Sequence, residues 1–203
     1  MRLSHRNFRN FFGLHVNPVV KVLTISDIFI LSGFGLVAPI FAVFITDNIK
    51  DGSVEVAGIA ATVFFLSRSL GQIPAAYIVD KIKGEKDDFW AVLIGSIVTS
   101  FVPLLYIFAT LSWHIYLIQL IYGFSQAFTY PSWYALFTRH VGHNREGVEW
   151  GIYSTLTDLG GAAVAGIGGY LAANFGFNNL FVIVSIASFV GSFWLIAVKR
   201  YIK

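Results

Sequence analysis

The chain has 203 residues, of which 56% are hydrophobic, 17% aromatic and only 12% charged, with a net charge of +3; its mean hydropathy is +0.71. A soluble domain carries about 25% charged residues, so an ordinary globular protein is excluded, and so small a positive excess argues against a nucleic-acid binder. There is no cysteine, which removes thiolate metal sites, disulfides and a cysteine nucleophile.

Residues 1–18, MRLSHRNFRNFFGLHVNP, set Arg2, Arg6 and Arg9 among Phe8, Phe11, Phe12 and Leu14. The pattern fits a helix lying on a membrane surface or a disordered basic tail, and it lacks the apolar core and small-residue cleavage site of a signal peptide. A first membrane span is predicted over 19–46 and, after the polar turn DNIKDGSVE, a second over 57–79. From Phe89 to Thr138 there is no Asp, Glu, Lys or Arg. That run is too long for one helix of about 20 residues, so it is divided at Ser112-Trp113-His114 into spans 89–109 and 115–137. After RHVGHNREGVE come a fifth span at 150–173, the turn NFGFNN, a sixth span at 178–198, and a cytoplasmic tail, 199–203.

Six spans place the N-terminus, the second and fourth loops and the C-terminus on one side. That side holds Lys81, Lys83, Lys86, Arg139, Arg145, Lys199 and Arg200, against Lys50 alone on the other. The positive-inside rule then puts both termini in the cytoplasm. The reading is an all-α, multi-pass integral membrane protein with six transmembrane helices.

Arg68 falls near the middle of the second span, where a guanidinium costs about 2.5–3.5 kcal/mol, so a cavity and a partner are expected beside it. Candidates at comparable depth are Asp27, Gln72 and Asp158. On the fourth span Gln119, Gly123, Gln126 and Tyr130 recur at helical spacing on one face. At 1.5 Å per residue, Asp158 lies about 4–5 Å and Asp27 about 9 Å cytoplasmic of Arg68, within reach of a long side chain. Plainer readings stand beside these: Asp27 and Asp158 as helix-entrance residues, Arg68 snorkelling to the interface, and the glutamines as interhelical hydrogen-bonding glue. The third and sixth spans contain no ionisable residue and read as lipid-facing. The fifth, with Gly151, Gly160, Gly161, Gly168 and Gly169, reads as a close-packing or sliding surface.

With these residues in view, the chain resembles the N-terminal six-helix half of a major facilitator superfamily transporter. Gly151, Gly160, Gly168 and Gly169 match the family's fifth-helix signature in register, with Val164 and Ala165 where its Gly-Pro stands; in the family that signature goes with antiporters and exporters. The loop AYIVDKIKGEK is similar to the family's gating motif, with Asp80 and Lys81 in place, Ala76 for its first Gly and Gly84 displaced by one. Gln119 stands four residues before Gly123, where exporters carry a proton-coupling Arg. The resemblance implies spans one and four at a central cavity, two and five at the interface between halves, and three and six outside. Family members have two six-helix halves of like orientation, so a parallel homodimer is expected.

The expected function is secondary active transport of a small solute by alternating access, in the cytoplasmic membrane of a prokaryote, with lipid and a second copy as partners and no cofactor, metal or nucleic acid. Protonation of Asp158 or Asp27 would loosen pairing with Arg68. The alternatives are a non-transporting scaffold or a half-transporter needing another partner. An intramembrane serine protease using Ser125 would need a base, and the sixth span has no His; a channel would need a ring of repeated ligands, which the sequence does not contain. No enzymatic activity is expected.

Overall fold

The structure, a computed structural model, describes residues 16–81 and 84–202, with the Asp80 side chain outside the description. The expectation for the basic segment 1–15 therefore lies outside the described residues. Helix α1, Pro18–Asn48, starts with proline in its first turn, and Asn17 accepts the Val19 N–H through its side chain at 2.9 Å. Around Pro39, which has no N–H to give, α1 tightens into a 3₁₀ turn over Ala38–Ile40. Helix α2 is Val54–Lys81, α3 Lys86–Ile107 and α4 Ser112–His140. Asp87 and Asp88 occupy the first turn of α3, while Arg139 and His140 occupy the last turn of α4, each matched to the local end of the helix dipole.

The last element, Glu146–Trp194, is broken at Gly176, whose φ of 80° and ψ of 162° leave the helical region. Glycine alone takes that conformation without strain. The break separates α5 (146–175) from α6 (177–194), and a 3₁₀ turn, Leu195–Arg200, closes the chain. Packing on α1 fixes the direction of both arms. Gly160 sits against Ser32 and Gly168 against the Leu36 carbonyl, so α5 runs alongside α1. Gly191 meets the Ser26 carbonyl and Gly33 meets Ser188, so α6 runs back.

Four stretches are long and apolar enough to cross a membrane: Pro18–Asn48, Val54–Val79, Lys86–Ile107 and Glu146–Arg200. At 55 residues the last would exceed 80 Å as a straight rod, roughly twice a bilayer, which is why the fold at Gly176 matters. Helix α4 is the more polar one, with glutamines, serines and tyrosines through its middle.

Two expectations are corrected. The reversal between α3 and α4 falls at residues 108–111, and Ser112-Trp113-His114 forms the first turn of α4. His114 Nδ1 accepts the N–H groups of Thr110 and Leu111 at 3.1 and 3.3 Å, so the histidine serves the helix start. Nor does α3 face lipid on all sides: Trp90, Ile94 and Phe101 are exposed, yet half of its most apolar window is buried, against 11% for α2. Buried serines explain this, since Ser185 donates to the Ser100 carbonyl at 2.7 Å and Ser100 bonds Ser192 at 3.0 Å. Serine on serine supplies hydrogen bonds and close approach without any charged residue for the sequence to reveal.

Two apolar cores cap the bundle. Leu36, Phe44, Ile45, Tyr106, Ile115 and Phe181 gather at the end where α1 finishes. Val19, Leu23, Phe89, Phe137, Leu195 and Val198 gather where it starts. Every described Lys and Arg except Lys50 and Arg68 lies at or near that second end.

Candidate functional site

Between the two cores the bundle is hollow. A cavity of about 230 Å³ is lined by Asp27 of α1, Arg68 of α2, Thr99 of α3, Gln126 and Tyr130 of α4, and Tyr153 of α5. A second cavity, of about 470 Å³, lies nearer the α1 C-terminal end and is lined by Phe41, Phe65, Tyr106, Phe181 and, as its main polar side chain, Gln119. On α1, α3 and α4 the residues facing the first cavity lie nearer the α1 start than those facing the second, while on α2 the two sets interleave at Phe64 and Phe65. The cavities are therefore stacked along the bundle axis.

Phe34 and Tyr122 border both cavities, and their rings stack at 5.3 Å and 13°. Phe64 leans on Tyr122 at 4.7 Å. These three rings form the wall between a charged chamber and an apolar one. Helices α2 and α4 come close enough to hold it because Gly123 carries no side chain: a Cβ there would run into Ser67 Oγ and the Phe64 carbonyl.

Within the charged chamber, Arg68 lies over the Tyr130 ring, its guanidinium carbon 4.1 Å from the centroid. Such a contact contributes about 0.5–2 kcal/mol, less than the about 2.5–3.5 kcal/mol that a mid-membrane arginine costs, so the remainder falls to whatever fills the cavity. Asp27 accepts a hydrogen bond from the Tyr153 hydroxyl at 2.8 Å. Gln126 donates to Thr99 Oγ1 at 3.0 Å, and the Tyr130 and Tyr134 hydroxyls meet at 3.0 Å. Among the described residues, neither Asp27 nor Arg68 takes part in an ion pair.

The structure thus brings together Asp27, Arg68, Gln126 and Tyr130. It places Gln119, buried, on the neighbouring apolar cavity. Gln72 is half-buried on α2 and lines neither cavity. Asp158 is exposed on α5, away from Arg68, so the expected Arg68–Asp158 pair does not form within one bundle; the spacing gave the right depth but left the helix rotation open. Where α2 leads into α3, Lys81 Nζ lies 4.2 Å from the Tyr77 ring centroid, and the Gly84 carbonyl accepts from Arg139 at 3.5 Å. The glycines of α5 divide: Gly160 and Gly168 pack on α1, while a Cβ at Gly151, Gly161 or Gly169 would meet nothing within 4 Å.

Sequence reasoning did not anticipate the Tyr153–Asp27 bond or the charged cluster at the loop end. There Arg139 pairs with the buried Asp88, and His140 Nε2 lies 3.6 Å from Glu85 Oε1. Facing acidic and basic loops on one side were its available signal.

A helical bundle with apolar membrane-length rods around an internal polar chamber defines a multi-pass integral membrane protein. The chain matches the family model of the Major Facilitator Superfamily over residues 23–201, nearly its whole length, and it belongs to that superfamily of membrane transporters. No curated protein matches it.

Proposed function

We propose that the chain is a secondary active transporter that moves a small solute by alternating access, with six transmembrane helices and both termini in the cytoplasm of a prokaryotic cell. The observation that carries this reading is the Phe34–Tyr122 wall, with an arginine and a carboxyl gathered on one side of it and an apolar chamber on the other. A solute held at Arg68 is one ring layer away from the second chamber, and movement of that layer exposes it to either side in turn. The charge distribution, with Lys50 alone at the far end among the described Lys and Arg residues, supports the orientation.

The working unit is a parallel homodimer in which helices α2 and α5 of two copies meet. Asp158, exposed within an otherwise apolar rod, supports this assembly, because a carboxylate facing lipid is strongly disfavoured. The open face around Gly161, Gly166 and Gly169 gives a partner helix room for close approach. Export is the favoured direction, on the glycine pattern of the fifth helix. Proton coupling would run through Asp27 or Asp158.

Reconstitution of the purified chain into liposomes tests the reading. Saturable, gradient-driven flux that falls in Arg68→Ala with assembly unchanged supports transport; loss of assembly alone in that variant supports a scaffold. Flux that is independent of pH and unchanged in both Asp27→Asn and Asp158→Asn removes the proton step.

A further inference from the structure

We propose, resting on the transport reading above, that the charged chamber takes a small zwitterion with an apolar or aromatic body, its anionic group at Arg68 and its cationic group at Asp27. Charge excludes the simpler solutes. Both groups border the same partly open cavity of about 230 Å³, and among the described residues neither takes part in an ion pair. While Asp27 is ionised, a simple anion drawn to Arg68 would be repelled by its carboxylate, and a simple cation drawn to Asp27 would be repelled by Arg68. A neutral solute would leave both groups desolvated without compensation. A molecule carrying both charges satisfies each.

The axial spacing agrees. The stacked rings give a common reference plane at Phe34 and Tyr122, and Phe64 touches that plane. Asp27 lies seven residues along α1 from Phe34, and Arg68 four residues along α2 from Phe64, in the same direction. At 1.5 Å per residue their backbones differ in depth by about 4–5 Å, a separation that two long-reaching side chains and a small dipolar molecule can bridge. Each charged group is also oriented by a phenol: Asp27 by the Tyr153 hydroxyl at 2.8 Å and Arg68 by the face of Tyr130 at 4.1 Å. The remaining walls, Phe34, Phe64, Tyr122 and Trp133, offer ring faces to an apolar body.

The test is binding to the purified full chain, read by Trp133-dependent fluorescence and checked by isothermal titration. The probes are L-phenylalanine, L-tyrosine and L-leucine, set against 3-phenylpropionate, which keeps only the anion, and phenethylamine, which keeps only the cation. At least one zwitterion is expected to bind tenfold or more tighter than either single-charge probe. In Asp27→Asn, which retains a partner for Tyr153, the preference over 3-phenylpropionate is expected to vanish. In Arg68→Gln the preference over phenethylamine is expected to vanish. A single-charge probe that binds as well as every zwitterion, or preferences that ignore both substitutions, overturns the proposal. Liposome flux is scored separately: saturable flux of a single-charge solute defeats the zwitterion and leaves transport standing, whereas absence of saturable flux for every solute defeats transport itself.

Discussion

The Tyr153 hydroxyl donates to the Asp27 carboxylate across 2.8 Å, and this one bond ties α5 to α1 at the rim of the charged chamber. It gives the carboxyl a fixed direction. Hydrogen bonds to charged groups contribute about 1.5–3 kcal/mol. Tyr153→Phe should therefore lower thermal stability in detergent by about 1–2 kcal/mol and reduce flux severalfold. Unchanged stability and flux would show that the bond positions nothing.

The Phe34–Tyr122 stack is predicted to be the permeability barrier. Tyr122→Ala removes a ring shared by both cavities and should join them, giving a measurable leak of a small solute through reconstituted vesicles. Truncating a buried aromatic commonly costs about 3–5 kcal/mol, so Tyr122→Leu, which fills most of the volume, is the companion variant. It should fold normally and leak more than wild type. Equal leak in wild type and Tyr122→Leu would place the barrier elsewhere.

The glycines of α5 separate folding from assembly. A Cβ at Gly168 would run into the Leu36 carbonyl, whereas one at Gly169 meets nothing within 4 Å. Gly168→Leu should collapse expression through overpacking, at a cost of about 3 kcal/mol or more. Gly169→Leu should express and fold but shift the equilibrium from dimer toward monomer, as seen by cross-linking or by mass in nanodiscs. A fully dimeric Gly169→Leu would put the partner interface on another face.

Asp88 and Arg139 join the start of α3 to the end of α4. The aspartate is buried and the arginine partly exposed, so solvent screens part of the pair's strength. Asp88→Asn should destabilise the protein by about 1–3 kcal/mol, below the about 3–5 kcal/mol typical of breaking a fully buried pair. With the carboxylate gone, stability should also depend less on salt, because the attraction that salt screens is absent. A variant as stable as wild type at every salt concentration would contradict this.

Much of the architecture was legible because bilayer thickness and hydropathy set the rods, while the Lys and Arg positions separate the two ends. Depth was legible too: Asp27 and Arg68, placed by their level along the rods, share one cavity with Gln126 and Tyr130, which helical spacing puts on one face of α4. Rotation about α5 was not. Asp158 has a suitable depth and points outward, because a helix that is small and apolar on several faces carries no strong moment to orient it. The serine seam between α3 and α6 was hidden for a related reason. Serine registers as nearly neutral in a hydropathy profile, yet Ser100, Ser185 and Ser192 join those two helices. Tyr153 escaped notice because its significance lies in a partner 126 residues away.

The most direct test of the whole account is solute flux through the full chain reconstituted in liposomes, wild type against Arg68→Ala, with expression and oligomeric state measured on the same preparations. Saturable flux is expected in the wild type and at least a tenfold loss in Arg68→Ala, with folding and assembly unchanged. Equal flux in the two proteins would contradict it, because the cavity around the guanidinium would then lie off the path of the solute.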